Sequence, residues 1–394
     1  MSVRVLRIIP AFYPAVYWGG AVVSVFSLCN VLASLEGMEL EVLTTNAAGP
    51  KRRDRASGVN SFIRYPPGYD VYYCHGLFGT DISPDMLLAL WGRVREADLV
   101  HLSGVYSPPT MPTLMACRLF RKALVWSPHG AWQRWGGSTR LKTKRVWDLA
   151  CRAIAPKQCV LHVTSIEEAR ETSKRFPCAE VVIIPNGVDA PKEVAHVDER
   201  RFLRVVYLGR LHPKKGIENL MAACKKLTEQ AEVDWSLIIA GSGDPRYVRQ
   251  LENKMEEFGF GSQGRQAGRS EALSSSVTFI GEVTGGKKTT LFENADVVVA
   301  PSFTENFGMV VAEALAHGVP VIASTGTPWH RVEEIGCGLW VNNDPETLAK
   351  ALDQINRMPM REMGQRGREW MQREFSWSDR AKDMSSLYHS LVSK

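Results

Sequence analysis

Residues 301–324 read PSFTENFGMVVAEALAHGVPVIAS and carry the most informative pattern of the chain. An apolar, β-branched run at 297–300 ends at Pro301, and a polar loop leads into an apolar stretch from about Phe307 to Gly318, after which a second apolar run begins. Runs that are apolar throughout are typical of parallel strands buried on both faces. The segment is therefore predicted to be a strand–helix–strand unit whose loop lies at the carboxyl edge of a sheet, where such folds bind ligands.

The same alternation of short apolar runs and helix-like stretches extends along the chain and predicts a doubly wound α/β protein. The turn-rich PNGVDAP at 185–191 and the charged stretch after it divide the pattern into two Rossmann-like domains, residues 1–190 and 200–375. A last amphipathic helix is predicted at 377–394. The predicted strands are 3–9, 40–45, 99–102, 123–126, 160–164, 181–184, 204–208, 236–240, 277–280, 297–300 and 320–323.

Composition agrees with a two-domain globular protein, because 394 residues exceed what one core usually organises. The net charge of +6 suits phosphate-bearing ligands or an anionic membrane and is too weak for a nucleic-acid footprint. Eight cysteines without a CxxC pair favour a reducing cytoplasm over a disulfide framework or a zinc site. Neither a signal peptide nor an apolar run of about 20 residues is found, so we expect a cytoplasmic protein, peripheral at most on the inner membrane face.

The loop and helix start within 301–324 form the strongest candidate site. The first amides of a helix favour an anionic group such as a diphosphate, and Gly308 allows close backbone approach. Glu305 lies at the mouth and Glu313 farther inside the helix, so both could accept hydroxyl hydrogen bonds from one elongated ligand. An ordinary amphipathic helix with two surface glutamates is the alternative.

With its surrounding residues, the Glu305–Glu313 spacing resembles the E-x7-E element of retaining glycosyltransferase family 4. The resemblance implies the GT-B fold, in which two Rossmann-like, doubly wound domains face a cleft and the second domain holds most of the donor. It further implies that the last helix, at 377–394, crosses back to pack on the first domain. It also implies that Glu305 contacts hydroxyls of the transferred sugar and that Glu313 contacts the ribose. Further donor-binding residues implied by the resemblance are Asn306, Phe307, Gly308, Met309 and Val310.

A second match, YLGRLHPKKG at 207–216, places Arg210 directly after a strand and Lys215 just before a helix. Arginine as a bidentate fork and lysine as a compact charge suit a diphosphate. In the family, these positions neutralise the leaving nucleoside diphosphate. A pair of solvated loop cations is the alternative.

Two further turns concern the nucleotide. Gly241 opens GSGD after the strand at 236–240, and this turn lacks the third glycine of a dinucleotide fingerprint, which argues against an NAD enzyme. By the resemblance, backbone groups near Val283 contact the base. Gly285 stands where some GDP-sugar relatives carry an acidic residue that reads guanine, so UDP, as in a UDP-glucose-like donor, is favoured.

In the first domain, Gly19 and Gly20 open a helix, where backbone amides could reach phosphate or acceptor; a simple turn is the alternative. His129 follows the strand at 123–126, and the resemblance places it beside the primary hydroxyl of the donor sugar, although a structural histidine is the alternative.

The aromatic and basic stretch 132–147 could face an anionic membrane or a lipid-phosphate acceptor, or be a solvated helix face. The Gly-, Ser- and Arg-rich segment 259–276 is predicted to be a mobile loop.

No D-x-D and no His/Cys cluster with ligand spacing occurs, so neither a metal nor another cofactor is expected. The sequence therefore predicts a metal-independent, retaining hexosyltransferase that moves sugar from a nucleotide sugar to a saccharide or lipid-linked saccharide acceptor, in polysaccharide or glycolipid synthesis. A sugar-nucleotide 2-epimerase of the same fold remains an alternative, although its acid–base groups are not identified. A non-catalytic saccharide-binding module also remains, although it would not need Arg210 and Lys215 aimed at a diphosphate.

Overall fold

The computed structural model describes residues 2–49, 52–53, 60–194, 202–230, 233–260 and 276–393. Most of the loop predicted at 259–276 lies outside these residues. The chain forms two compact units: unit 1 is Met1–Arg134, Ser138–Gly187 and Trp377–Lys394, and unit 2 is Trp135–Gly137 and Val188–Ser376. The C-terminal helix therefore belongs to unit 1, although it follows unit 2 in sequence.

Unit 1 is built on an eight-stranded sheet of order β10-β9-β8-β7-β1-β2-β6-β5. All neighbouring strands are parallel except the edge strand β5, which pairs with β6 as an antiparallel hairpin. The strands are β1 Val3–Ala11, β2 Met38–Thr45, β3 Ala47–Gly49, β4 Arg52–Arg53, β5 Ser61–Tyr65, β6 Tyr69–Cys74, β7 Leu99–Ser103, β8 Ala123–Ser127, β9 Cys159–Val163 and β10 Glu180–Ile183, of which β3 and β4 form a separate two-stranded sheet.

The helices of unit 1 begin at local signals that the sequence carries. Ser83 and Ser165 cap α2 and α5, since their hydroxyls accept hydrogen bonds from the amides of Met86 and Glu168. The helices are α1 Gly20–Leu32, α2 Pro84–Glu96, α3 Thr110–Leu119, α4 Leu141–Ile154, α5 Ile166–Arg175 and α13 Trp377–Val392.

Unit 2 contains a six-stranded parallel sheet of order β13-β12-β11-β14-β15-β16. Its first strand, β11, lies between the second and the fourth, so the direction of winding reverses between β11 and β14. Doubly wound sheets bind ligands at the carboxyl ends of the two strands that flank this switch point. The strands are β11 Leu203–Leu208, β12 Trp235–Ala240, β13 Ser276–Gly281, β14 Val297–Ala300, β15 Val321–Ser324 and β16 Gly338–Val341.

Helices cover both faces of this sheet and close two buried clusters of apolar side chains. Strands buried on both faces explain why the runs are apolar throughout rather than alternating. The helices are α6 Ile217–Gln230, α7 Pro245–Glu257, α8 Gly286–Glu293, α9 Met309–Ala316, α10 Arg331–Ile335, α11 Pro345–Asn356 and α12 Met360–Glu374.

The α/β class predicted from sequence is confirmed, and each predicted strand is present with its ends displaced by at most two residues. The hairpin of β5 and β6 was missed, because YDVYYC mixes tyrosines with a charge instead of forming an apolar run. The four-residue β16 was missed because it is short and begins with glycine. Within the described ranges, no helix is long and apolar enough to cross a membrane.

Candidate functional site

The candidate site lies at the switch point of unit 2. The loop after β11 carries Arg210 and Lys215, and the loop after β14 carries Glu305. The two loops are joined through the main chain, because the amide of Phe303 donates to the carbonyl of Lys214 at 2.9 Å. The sheet order thus brings together two motifs that are about 90 residues apart in sequence.

A glycine makes this close approach possible. Gly216 has a φ of +65°, and a Cβ atom there would lie 2.1 Å from the carbonyl oxygen of Pro301. The side-chain amide of Asn343 donates to the same carbonyl. A larger residue at position 216 would therefore displace the loop that holds Lys215.

Lys215 and Glu305 form an ion pair between Nζ and Oε1. Their side chains are 22% and 12% exposed, and the Ser302 hydroxyl donates to the same carboxylate oxygen at 2.9 Å. Burial raises the pKa of Glu305, but the charges of Lys215 and Lys214 and the hydrogen bonds from Lys215 and Ser302 outweigh it and hold the pKa below its ordinary value. Glu305 is therefore an ionised hydrogen-bond acceptor at neutral pH.

Arg210 is exposed at the start of the same loop. A hydrogen bond fixes its main chain, since the hydroxyl of the buried Tyr207 donates to the Arg210 carbonyl at 2.9 Å. Burial, followed by the charge of Glu305, raises the pKa of Tyr207 well above its ordinary value, so the hydroxyl remains a donor. The loop thus combines a fixed backbone with a guanidinium group that can reach a ligand.

The helix α9 begins beside this ion pair. Gly308 is its N-cap residue with a φ of +80°, and the amide of Val311 donates to the Gly308 carbonyl at 2.9 Å. The amides before Val311 have no earlier carbonyl within the helix to bond, which makes this end suitable for an anion. The indole N–H of Trp329, a residue that the sequence analysis did not single out, donates to the Phe307 carbonyl at the same turn.

Glu313 lies on α9 with a side chain that is 14% exposed, and it is paired with Lys288 at 2.7 Å. Lys288 comes from α8, in the turn after β13, and the sequence analysis missed it. The available signal was a basic pair, Lys287 and Lys288, directly after Gly285 and Gly286, which repeats the cation-at-a-turn pattern of Arg210 and Lys215.

The remaining predicted residues of unit 2 lie at the same carboxyl edge. Gly241 follows β12, and a Cβ atom there would lie 1.8 Å from the carbonyl oxygen of Gly209, so the turns after β11 and β12 touch. Val283 follows β13 and is partly exposed. The predicted stretch from Asn306 to Val310 spans the end of the β14 loop and the first turn of α9.

Three candidates lie in unit 1. Gly19 is the N-cap of α1 with a φ of +85°, and Gly20 is the first residue of that helix. His129 follows β8 with a φ of +49°, an uncommon conformation outside glycine, and its Nε2 has no hydrogen-bond partner within the described part of the chain. Burial, together with His162 and Arg7, lowers the pKa of His129 to about 3, so the ring is neutral at physiological pH.

The described residues contain no group of three or more His, Cys, Asp or Glu side chains placed to hold a metal ion. Among the cationic groups of unit 2's site, Lys215 and Lys288 face carboxylates, and Arg210 is exposed.

Comparison with known families divides the chain at nearly the same point as its two units. The family described as "Glycosyltransferase Family 4" matches residues 18–191, and "Glycosyl transferases group 1" matches residues 192–370. Among curated proteins, an uncharacterized glycosyltransferase of Methanocaldococcus jannaschii is 32% identical over 188 residues, which are 47% of this chain and 44% of that protein.

The phosphatidyl-myo-inositol mannosyltransferase of Mycobacterium tuberculosis is 30% identical over 268 residues, which are 66% of this chain and 64% of the relative. The matched region thus spans less than two thirds of the length of these curated relatives.

Solved structures share the fold over the whole chain. Sucrose-phosphate synthase of Thermosynechococcus elongatus superposes with a TM-score of 0.76 at 24% identity and covers 100% of both chains. HepE of Anabaena, solved in complex with UDP-glucose, superposes with a TM-score of 0.70 at 15% identity and covers 98% of this chain and 99% of its own. Since the two family matches together run without a gap from residue 18 to residue 370, the chain belongs to glycosyltransferase family 4 and has the GT-B fold.

Proposed function

We propose that this protein transfers a hexosyl group from a nucleoside-diphosphate sugar to a saccharide or lipid-linked saccharide, with retention at the anomeric carbon and without a metal ion. The observation that carries the proposal is the Lys215–Glu305 ion pair beside the first turn of α9 at the switch point of unit 2. A cation and the first amides of a helix suit the diphosphate of such a donor, and an ionised carboxylate beside them suits the hydroxyls of its sugar.

In the proposed reaction, the bond between the anomeric carbon and the diphosphate oxygen breaks, and a bond to the acceptor oxygen forms on the same face of the sugar. The acceptor hydroxyl gives its proton to the departing diphosphate. Lys215 and Arg210 offset the charge that develops on that diphosphate, together with the amides of Gly308 and Met309. Glu305 would accept hydrogen bonds from hydroxyls of the transferred sugar.

The nucleoside would lie at the other end of the site. Glu313 would accept from the ribose hydroxyls, and the main chain near Val283 would contact the base. UDP is favoured because Gly285 offers no side chain with which to read guanine and because the fold relative HepE was solved with UDP-glucose. A GDP-sugar is the second candidate, since a relative from Mycobacterium tuberculosis at 29% identity is named a GDP-mannose-dependent mannosyltransferase.

The remaining assignments concern unit 1. We assign His129 to the primary hydroxyl of the donor sugar, because a neutral imidazole whose Nε2 is buried and unpartnered can hydrogen-bond a neutral hydroxyl. Gly19 and Gly20 would present main-chain amides to phosphate or acceptor. A lipid-linked acceptor would place the protein at the cytoplasmic face of a membrane. The mannosyltransferase relative is named for a lipid, phosphatidyl-myo-inositol.

The first test is release of nucleoside diphosphate from UDP-glucose, with GDP-mannose and ADP-glucose as comparison donors. We expect Lys215→Ala to lower turnover about 100- to 1,000-fold, the range seen when one preorganised group that stabilises developing charge is removed. Glu313→Ala should mainly weaken donor affinity.

Lys226→Ala is the matched control, because it removes a lysine that also pairs with a glutamate of unit 2, Glu346 at 3.0 Å, away from the switch point. Wild-type turnover and donor affinity in both site variants would reject the assignment. An epimerised nucleotide sugar would support the epimerase instead, and absence of binding to every nucleoside diphosphate would support the saccharide-binding module.

A further inference from the structure

Helices α3 and α4 of unit 1 carry large aliphatic side chains that point into solvent. Met115 and Leu119 on α3 are 49% and 66% exposed, and Val146 and Leu149 on α4 are 67% and 60% exposed. The two helices are neighbours, joined by a hydrogen bond from the Arg118 guanidinium to the Ala153 carbonyl. We call these four side chains, together with the exposed Lys142, Arg145 and Arg152 of α4, the α3–α4 surface.

The orientation of α4 follows from its inner face. Asp148 is 3% exposed and accepts hydrogen bonds from the Tyr106 hydroxyl and the Trp132 indole, each at 3.0 Å. Cys151, three positions on, is also buried. Residues three and four apart share a helix face, so the opposite face is left to a stripe that mixes aliphatic and basic side chains. This stripe consists of Lys142, Arg145, Val146, Leu149 and Arg152.

The charge of this region is one-sided. Residues 99–166 contain ten lysines and arginines and a single acidic residue, the inward-facing Asp148. The whole chain carries only +6, so the rest of the sequence is slightly negative. Within the described part of the chain, the salt bridges do not include Arg121, Lys142, Arg145 or Arg152. Within the described residues, these cations form no ion pair with a carboxylate, so their charges are available to an anionic partner.

Exposed aliphatic groups interleaved with unpaired cations match a partner that is apolar inside and anionic at its surface. A nucleic acid would use the cations but not the aliphatic groups. We propose that the α3–α4 surface docks on a lipid bilayer that contains anionic lipid, with Leu119, Val146 and Leu149 entering the interface and the basic side chains facing lipid phosphates. This proposal rests on the proposed function, because a lipid-linked acceptor is the reason for the protein to dock on a membrane. Docking itself does not require a bound nucleotide sugar.

The test is co-sedimentation of the full-length protein with vesicles of phosphatidylcholine alone or mixed with phosphatidylglycerol. We expect binding to the mixed vesicles only, and weaker binding as salt rises, because surface charges are screened. Lys142→Gln with Arg145→Gln should weaken binding at least tenfold, given the contribution of each basic residue near an anionic surface. Val146→Ser with Leu149→Ser should weaken binding at low and high salt alike.

The matched control is Arg246→Gln with Arg249→Gln, which removes the same charge from exposed positions on α7 of unit 2. It should bind vesicles as the wild type does. Equal binding to both kinds of vesicle, no binding at all, or an equal loss in the control would overturn the docking surface. All variants should keep wild-type affinity for UDP; vesicle binding without UDP binding would instead count against the proposed transfer activity and leave the surface standing.

Discussion

At the residue scale, both glutamates of the donor-binding candidate face a lysine. Lys215 pairs with Glu305, and Lys288 pairs with Glu313, although each partner comes from a different strand–helix turn. A partly buried carboxylate without a partner would cost about 1–3 kcal/mol. The lysines therefore orient both carboxylates, and a carboxylate has enough lone pairs to accept hydrogen bonds from ligand hydroxyls at the same time.

The role of Lys288 is tested by Lys288→Ala. We expect the dissociation constant of UDP to rise about five- to thirtyfold, because Glu313 would lose the contact that orients it and one charge-assisted hydrogen bond contributes on the order of 1–2 kcal/mol. Lys288→Arg should restore much of the affinity. Isothermal titration calorimetry measures the change.

Lys287→Ala is the control, since Lys287 is the exposed neighbour on the same helix and has no carboxylate partner among the salt bridges of the described residues. An identical change in both alanine variants would mean that the local positive charge matters and that the pairing with Glu313 does not.

At the element scale, the start of α9 depends on an aromatic cluster beneath it. Trp329 packs edge-on against Phe307 at 5.2 Å and against Trp370 at 5.6 Å, and both tryptophans are 2% exposed. Of these two indoles, Trp329 donates to the loop between β14 and α9, at the Phe307 carbonyl. The Trp370 indole donates instead to Glu374 at 2.9 Å. Trp329 is thus placed to position the turn that presents the helix amides.

Substituting Trp329 by phenylalanine removes that donor and keeps an aromatic ring. We expect Trp329→Phe to weaken UDP binding about five- to tenfold, the effect of roughly 1 kcal/mol from one lost hydrogen bond. Trp370→Phe should change UDP affinity less than twofold, even though it removes an equally buried indole. If the two variants lose stability equally and bind UDP equally, Trp329 has only a packing role.

At the scale of the whole molecule, unit 1 contains a chain of polar side chains that crosses its core. The Arg7 guanidinium donates to the Tyr388 hydroxyl at 3.3 Å, which lies 2.5 Å from His101 Nδ1. His101 Nε2 and His162 Nδ1 both lie 2.7 Å from the Ser127 hydroxyl. Since Tyr388 belongs to α13, this chain helps to attach the C-terminal helix to the sheet of unit 1.

The same chain predicts acid sensitivity. Burial lowers the pKa of His162 to about 4, and burial also lowers the pKa of His101. The unfolded chain, with a histidine pKa near 6.5, therefore binds protons first as pH falls, so stability is fully present above about pH 6.5 and is lost between there and about pH 4. Each such histidine contributes up to about 1.4 kcal/mol per pH unit in that window.

Urea unfolding at about pH 7, 6 and 5 measures this slope. His162→Gln, which retains hydrogen-bonding groups but cannot titrate, should be less stable at pH 7 yet lose less stability on acidification. An unchanged slope in the variant would assign the acid sensitivity to other groups, such as His212 and His317 of unit 2, whose pKa values burial also lowers.

Sequence alone was sufficient for the features that depend on neighbouring residues. Apolar runs located the strands, and turn residues located the loops where Arg210, Glu305 and Gly308 lie, because strand burial and turn conformation are encoded over a few positions. The roles of these residues came from the family resemblance and stay predictions.

Contacts between groups that are distant in sequence depend on the tertiary structure. Lys288 reaches Glu313, the Trp329 indole reaches the Phe307 carbonyl, and Tyr388 reaches Arg7 and His101 across most of the chain. These contacts depend on the order of strands in each sheet, which local periodicity does not encode, and on the contacts of the last helix with unit 1. The family resemblance implied that this helix packs on the first domain, but it did not identify those contacts. The sequence therefore determined the strand–helix alternation and the positions of the motif residues, whereas long-range packing decided their partners.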